Sequence, residues 1–272
     1  MNLRTDIAYE AHETILKSDC KGVLVSKWNE EKTEITLTEI ISDEAARKMN
    51  KAKGKYVTLL MPEFSHESEL IDGRLNTLTK QIINLLPEKA KTFLVAGLGN
   101  ENITPDALGP LCAGKILSTR HFENFLKEDL FLSKLNPVSA ISTGVLGQTG
   151  IETAEYIKGI VDIVKPDLVI IIDALATIKK SNLCKTIQIT NTGITPGSGV
   201  GNYRKSIDKE TLGVPVISIG VPTVISLENE DNIIVTPREI DTIVKRAAAL
   251  IAMGINCALQ PTADADLFLA LS

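Results

Sequence analysis

Two aspartates of this chain stand in similar settings, each beside an apolar segment that predicts a strand. Asp106 lies within the segment 103–110, and Asp173 closes the aliphatic run 168–172. In an open parallel α/β sheet the carboxyl ends of neighbouring strands share one crevice, so these two acids could face one another and share a proton or a water. The alternative is structural: Asp106 caps a helix and Asp173 starts a loop, which is the commoner role of a single aspartate at a strand end.

The local surroundings predict different roles for the two acids if they meet. Asp106 follows Thr104, a predicted N-cap, and Pro105, so it falls in a first helical turn whose dipole favours the ionised carboxylate. Asp173 follows five aliphatic residues, and burial there would raise its pKa. Repulsion between adjacent carboxylates separates their titrations into an acid and a base that together activate water. We therefore expect Asp106 to act as the base and Asp173 as the acid.

Two glycine-containing loops are predicted to line the same crevice. The string 97–100 follows a strand, but Asn102 stands where a dinucleotide-binding loop needs its third glycine, so we expect a tight turn. Its last residue, Asn100, could hold a partner group through its amide. In the loop 142–153, Gln148 and backbone N–H groups could contact substrate. A tight turn without a binding role explains this second loop equally well.

The segment 192–204 is too rich in glycine for a packed element. It lacks the Gly-Lys-Ser/Thr ending of a P-loop, and Pro196 stands where a nucleophile elbow around Ser198 would need glycine. We predict a mobile substrate-binding loop in which Arg204 pairs with a carboxylate. A purely structural loop is the alternative. Zinc-protease spacing is absent from the three histidines of the chain.

Strands and helices alternate through the centre of the sequence, which is typical of a parallel sheet with helical crossovers. A β-hairpin is predicted over 22–41, and Ser42 is predicted to cap a short helix. A capping box at 236–239 predicts the start of the last helix. Further strands are predicted at 56–60, 92–96, 138–142, 168–172, 186–189 and 214–219, and further helices at 67–86, from 104 and at 150–164.

Length, charge and cysteine content exclude several classes of protein. With 272 residues, the chain is long enough for one large α/β domain. A net charge of −5 and a pI near 5.4 argue against binding to nucleic acid. Four widely spaced cysteines predict reduced thiols and a cytoplasm-like compartment. We expect neither a signal peptide nor a membrane span.

A set of specific strings, in order along most of the chain, resembles a known family. The strings are 4–8, 97–100, 104–110, 119–121, 144–153, 172–176, 192–202, 220–224 and 236–237. Together they resemble the germination protease of endospore-forming bacteria, which starts the degradation of small acid-soluble spore proteins. The resemblance implies a metal-independent endopeptidase with no cofactor, in which Asp106 and Asp173 are the catalytic pair. It implies a mainly parallel sheet with helices on both faces, similar to that of hydrogenase-maturation proteases, plus an N-terminal hairpin addition.

The resemblance also implies a homotetramer in the spore core that is made as a self-processing zymogen. Family substrates are cut after an acidic residue that precedes a hydrophobic residue and Ala, and Thr5-Asp6-Ile7-Ala8 matches this pattern. We therefore expect cleavage between Asp6 and Ile7. This would make 1–6 a short pro-segment and 7–272 a single peptidase domain, with a hairpin subregion at about 22–61.

Two rival functions stay open at this point. The related maturation proteases hold a metal through corresponding acids, so this chain could be a metal-dependent peptidase. A non-catalytic scaffold of the same fold is the second rival. Activity after chelation distinguishes a metal-dependent peptidase from an aspartate-pair peptidase. Asparagine variants of the two acids test whether the chain is a non-catalytic scaffold.

Overall fold

Four parallel strands form the centre of a mixed sheet in the computed structural model, which describes residues 5–15, 21–62, 64, 73–124, 135–201, 204–226 and 234–260. The strands are β1 Val23–Glu30, β2 Thr33–Ile40, β3 Gly54–Leu60, β4 Phe93–Gly97, β5 Val138–Ser142, β6 Leu168–Thr177, β7 Thr186–Thr190, β8 Val216–Ser226 and β9 Ile234–Val235. The helices are α1 Ala8–Ile15, α2 Asp43–Met49, α3 Gly73–Ile83, α4 Leu108–Ala113, α5 Leu146–Thr149, α6 Thr153–Val164, α7 Lys209–Leu212 and α8 Ile240–Leu259.

The strand order places a topological switch beside β4. The order is β1-β2-β3-β7-β8-β6-β4-β5, with β9 paired to β8. The pairs β5–β4, β4–β6 and β6–β8 are parallel, whereas the remaining pairs are antiparallel. Because the chain leaves β4 toward β5 and then returns to β6 on its other side, a crevice opens at the carboxyl end of β4. The predicted α/β class with a parallel core is confirmed.

Helices cover both faces of the parallel core. In β4, Phe93 and Val95 join the core beneath α3, α4 and α8, whereas Leu94 and Ala96 join the core beneath α6 and α7. Successive side chains of a strand point to opposite faces, so a strand covered on both sides becomes apolar throughout. All five residues of β4 are buried. The crevice at its end therefore rests on a rigid support.

The N-terminal hairpin is added at one end of the central sheet and continues it. Strands β1 and β2 form the predicted hairpin, and β2 pairs with β3. Strand β3 then pairs with β7 from Tyr56 opposite Thr190 to Leu60 opposite Thr186. The hairpin expected from the sequence is therefore present, and it extends one sheet that runs from β1 to β5.

Several predicted helix boundaries change for identifiable reasons. Ser42 caps α2 as predicted, because its Oγ accepts a hydrogen bond from the N–H of Ala45 at 3.1 Å. The capping box at Thr236 is wrong: this hydroxyl donates to the carbonyl of Thr223 at 2.8 Å, and α8 begins at Ile240. The predicted helix over 150–164 begins later, as α6 at Thr153, because Gly150 in a left-handed conformation ends the short preceding helix α5. Of the predicted helix over 67–86, residues 67–72 lie outside the described residues.

Among the described residues, α8 is the one helix long and apolar enough to cross a membrane by length and composition, and most of it is buried inside the fold. It packs against α3 and α4 in the larger core. The described cysteines Cys112, Cys184 and Cys257 are free thiols, and Cys20 lies outside the described residues.

Candidate active site

Asp173 lies within a strand and not at its end, which corrects the expectation from sequence. Strand β6 continues to Thr177 because it stays paired with β8, where Asp173 lies opposite Gly220. On its other side, β4 stops at Gly97 opposite Ile172. Asp173 is therefore the first residue of β6 beyond the end of β4, and this position brings it to the predicted crevice.

Asp106 is held by a short 3-10 turn, Thr104–Asp106, and not by a regular helix. The Thr104 hydroxyl donates to Asp241 Oδ1 at 3.0 Å instead of capping the turn, which corrects its predicted role. Thr223 Oγ donates to the Pro105 carbonyl at 2.7 Å. The backbone N–H of Asn100 donates to Asp106 Oδ2 at 2.7 Å. Contacts from three separate segments therefore fix the turn that carries Asp106, and one of them binds its carboxylate.

Gly99 allows the loop after β4 to pass close beneath Asp106. Its φ is +118°, a conformation that side-chain-bearing residues rarely adopt. A Cβ at Gly99 would lie 1.9 Å from the carbonyl oxygen of Asp106. The glycine predicted to form a tight turn is thus required by the close approach of these two segments.

Both aspartates line one cavity of about 540 Å³ at the carboxyl end of β4. Its walls come from the loops after β4 and β5, from β6 and from the glycine-rich segment after β7. Apolar groups such as Leu98, Leu146 and Leu175 form much of the lining. A mainly apolar cleft with a few convergent polar groups is the usual form of a binding or active site.

Burial raises the pKa of both carboxyl groups, and negative neighbours raise the pKa of Asp173 further. Asp173 is 7% exposed, and its pKa is raised well above the ordinary value, first by burial and then by the charges of Asp106 and Asp6. One hydrogen bond, from the N–H of Ala174 at 2.9 Å, opposes this. Burial also raises the pKa of Asp106, against the hydrogen bond from Asn100. The helix dipole expected to favour ionised Asp106 does not dominate, since a short turn replaces the helix.

The predicted amide contacts, Asn100 and Gln148, bind each other. Gln148 Nε2 donates to Asn100 Oδ1 at 2.7 Å, and Asn100 Oδ1 also accepts from the N–H of Asn102. Gln148 lies beside the cavity, in an exposed cleft with Gly144 and Tyr156. In the free chain these amides therefore stabilise the loop that holds Asp106, and their contact with substrate stays a prediction.

Arg204 lies on the lining of the cavity that holds Asp106 and Asp173. Its backbone N–H donates to the Pro196 carbonyl at 3.2 Å, while the residue as a whole is exposed. Its predicted pairing with a substrate carboxylate stays a prediction.

Asp6 also lines the cavity, although Ile7 is completely buried. The N–H of Asp6 donates to the Ala176 carbonyl at 3.0 Å, and its carbonyl accepts from Gln188 Nε2 at 2.8 Å. The proposed cleavage point between Asp6 and Ile7 is therefore fixed against β6, three residues beyond Asp173.

Sequence reasoning missed three polar residues that hold the N-terminal segment: Gln188, Glu10 and Lys51. Glu10 is fully buried and accepts hydrogen bonds from Thr5, Thr177, Asn182 and the N–H of Ile178. Gln188 lies in a strand, and nothing in the local sequence marks it as a binding residue. Glu10 could have been found, because it shares a helix face with the apolar residues Ala8 and Ala11, and a charged residue on a buried face needs hydrogen-bond partners. No group of three His, Cys, Asp or Glu among the described residues could hold a metal ion.

The comparisons with known proteins identify the family. A sequence profile described as germination protease matches residues 4–230. This chain belongs to the germination protease family. Germination proteases of Caldanaerobacter subterraneus and Clostridium perfringens are 41% and 40% identical to it, over 96% of this chain and 95% and 96% of their own lengths. The germination protease of Bacillus cereus is 43% identical over 90% of this chain and 67% of its own.

Family membership makes the chain a peptidase with a role in spore germination. Among solved structures, a NiFe hydrogenase maturation protease, HycI from Thermococcus kodakarensis, is similar with 20% identity and a TM-score of 0.40. The match covers 64% of this chain and 98% of that protein.

Proposed function

We propose that this chain is an endopeptidase that starts the degradation of small acid-soluble spore proteins, with Asp106 and Asp173 as an aspartate pair that activates water. The observation that supports this is the convergence of two carboxyl groups, from segments far apart in the sequence, on one cavity of a germination-type peptidase. A pair of carboxyl groups whose environments separate their titrations can serve as acid and base.

In this mechanism the more accessible acid starts the reaction. Ionised Asp106 removes a proton from a water, the water oxygen bonds to the scissile carbonyl carbon, and protonated Asp173 gives its proton to the carbonyl oxygen. When the C–N bond breaks, the amine takes the proton held by Asp106, and Asp173 recovers a proton from one hydroxyl. Both aspartates return to their starting states. Greater burial and two adjacent negative charges favour Asp173 as the protonated member.

The decisive experiment is cleavage of a purified small acid-soluble spore protein, with the cut site mapped by mass spectrometry. Asp106→Asn and Asp173→Asn should each lower kcat by about 10²- to 10⁴-fold, because each removes a proton-transfer group. Asp167→Asn is the matched control, since this exposed aspartate lies just before the opposite end of β6. All variants should keep the circular dichroism spectrum of the parent. Unchanged cleavage by both site variants would refute the pair as the catalytic groups.

Chelation separates this mechanism from a metal-dependent one. The aspartate pair activates water without a cation, so exhaustive treatment with EDTA should leave cleavage unchanged. Activity that disappears on chelation and returns with a divalent cation would assign water activation to a metal instead.

The same site supports self-processing between Asp6 and Ile7. Thr5-Asp6-Ile7-Ala8 places an acid before a hydrophobic residue and Ala, and Asp6 lines the cavity of the aspartate pair. Protein held at mildly acidic pH should yield a new N-terminus at Ile7 on terminal sequencing, which leaves 7–272 as the peptidase domain. An intact N-terminus combined with full activity would contradict the proposal.

The proposed setting is the spore core, with a homotetramer as the working form. Strand β1 supports association between copies, because it is an edge strand that exposes Leu24, Val25 and Trp28. The net charge of −5 gives no support to nucleic acid as a direct partner. Light scattering coupled to size exclusion should report four copies of the 29.5 kDa chain; a monomer at micromolar concentration would refute the assembly.

A further inference from the structure

We propose that the place filled by the Asp6 side chain is the subsite that recognises the acidic residue of a substrate. The recognising groups are the Ser198 hydroxyl, the Ala176 N–H and the charge of Lys51, in a space kept open by Gly199. This inference rests on the proposed endopeptidase function and assigns its specificity to named groups.

Each oxygen of the Asp6 carboxylate has its own hydrogen-bond donor. Ser198 Oγ donates to Oδ1 at 2.7 Å, and the N–H of Ala176 donates to Oδ2 at 2.8 Å. The backbone of Asp6 is held against β6 by its own N–H, which donates to the Ala176 carbonyl. This main-chain bond positions the residue, whereas the two bonds to its carboxylate supply specificity for an acid.

Gln188 spans the peptide bond that follows Asp6. Its Nε2 donates to the Asp6 carbonyl at 2.8 Å, and its Oε1 accepts from the N–H of Ala8 at 2.7 Å. The Asp6 carbonyl belongs to the peptide bond that is proposed to be cleaved. A donor to its oxygen is suited to stabilise the negative charge that develops on that oxygen during cleavage. One buried side chain thus binds the backbone before and after Ile7, at Asp6 and at Ala8.

The space for the carboxylate depends on the absence of a side chain at Gly199. A Cβ at this position would lie 2.2 Å from Asp6 Oδ2 and 2.8 Å from the Cβ of Ala176. The turn Ser198–Val200 therefore supplies a donor and a gap in consecutive residues. Val200 of this turn and the preceding Pro196 and Gly197 line the cavity of the aspartate pair, so the subsite is continuous with that cavity.

The subsite has a positive neighbour, Lys51, which favours an acidic occupant, and an acidic neighbour, Asp173. Lys51 is held close by a hydrogen bond from its Nζ to the Thr5 carbonyl at 3.1 Å, and the charge of Asp6 acts on it. The charge of Asp6 also acts on Asp173. The Asp6 carboxylate thus interacts electrostatically both with the half-buried Lys51 and with Asp173 of the proposed pair.

The test compares cleavage of three synthetic peptides that copy residues 1–15 of this chain, with Asp, Asn or Ala at position 6. The chain's own Asp6 competes equally with all three, so ratios of kcat/KM report the subsite. The wild type should prefer Asp over Asn at least tenfold. Ser198→Ala should reduce that ratio about tenfold, since a hydrogen bond to a charged group is lost. The matched control, Thr195→Ala in the same loop, should leave it unchanged.

Gly199→Ala provides a steric readout that loss of folding cannot imitate. Its Cβ should slow cleavage of the Asp and Asn peptides at least tenfold more than cleavage of the Ala peptide, which needs no space there. A wild-type preference for Asp that persists in both Ser198→Ala and Gly199→Ala would overturn the assignment while the endopeptidase function stands. A wild type that cuts none of the peptides and no spore protein would overturn the proposed function, and this assignment with it.

Discussion

The side chain of Asp173 lies where burial and two negative neighbours all oppose its ionisation. Only the N–H of Ala174 opposes these effects. A group whose pKa is raised by folding stabilises the folded state below the pKa of the unfolded chain, and this stabilisation is lost as the pH rises through the folded pKa. An aspartate at position 173 therefore lowers the free energy of unfolding near neutral pH, compared with an uncharged residue of the same shape.

Asp173→Asn should consequently stabilise the protein at pH 7. The asparagine keeps the shape and the acceptor for Ala174 but carries no charge, so the free energy of unfolding should rise by on the order of 2 kcal/mol. The gain should shrink as the pH falls below about 4, where the aspartate becomes protonated in the unfolded chain as well. Urea unfolding at several pH values measures this. Asp167→Asn should show the opposite sign, because hydrogen bonds lower the pKa of Asp167. A destabilised Asp173→Asn at pH 7 would contradict the argument.

The close contact at Gly99 gives a second prediction for a single residue. Gly99→Ala should lower the free energy of unfolding by about 3 kcal/mol, because the backbone conformation and the Asp106 carbonyl both reject a Cβ. The shift of Asp106 should lower kcat on the order of 100-fold. Thermal unfolding and peptide cleavage measure the two effects.

The control for Gly99 is Gly159, in the middle of α6. A Cβ there meets nothing within 4 Å, so Gly159→Ala should stabilise the protein by about 0.5–1 kcal/mol. Equal changes in the free energy of unfolding for the two variants would show that the space beneath Asp106 tolerates a Cβ at Gly99.

Among the elements, α1 is attached to the end of β6 through one buried carboxylate. Glu10 receives hydrogen bonds from Thr5 on one side and from Thr177, Ile178 and Asn182 on the other. A buried carboxylate with a full set of donors is stable, and removing acceptor capacity leaves buried donors without partners. Glu10 thus determines where the segment with Asp6 enters the cavity.

Glu10→Gln should therefore destabilise the protein by about 2–3 kcal/mol, because its amide nitrogen would face donors. It should also speed hydrogen exchange of the Ala8 N–H. Glu13→Gln on the same helix is the control, since Glu13 pairs with Lys179 at the surface and should contribute less than about 1 kcal/mol. Equal losses in the two variants would remove the special role of Glu10.

The sequence pattern predicted strands and helices well where a single hydrophobic periodicity dominates. It predicted them less well where contacts with distant residues set the length of an element or the role of a side chain. The run 168–172 predicted a strand and its acid, yet β6 extends to Thr177 because β8 continues to pair with it. Thr104 has the residue type of an N-cap, but its hydroxyl bonds Asp241, which is 137 positions away. The contact of Ser198 with Asp6 joins positions 192 residues apart. Such pairings depend on the assembled sheet, and no spacing rule in the sequence encodes them.

At the scale of the whole molecule, the candidate site unites three acids that the chain order separates. Asp6 comes from the N-terminal segment, Asp106 from the turn after β4 and Asp173 from β6. Folding brings their charges close enough to act on one carboxyl group, with Asp106 the stronger and Asp6 the weaker influence. The protonation state of Asp173 thus reports on the assembled crevice.

This coupling predicts an order of pKa values for Asp173, measured by carbon NMR of the carboxyl group in the full chain. Asp106→Asn should lower the pKa most, because it removes the larger repulsion, and Asp6→Asn should lower it less. Asp167→Asn should leave it unchanged, because Asp167 lies beyond the opposite end of β6. Self-cleavage removes the charge of Asp6 and adds an α-ammonium at Ile7, so the processed chain should show a pKa for Asp173 no higher than that in Asp6→Asn. Equal pKa values in the parent and both crevice variants would mean that the three carboxyl groups do not share one electrostatic site, and the acid and base roles assigned to the pair would then rest on burial alone.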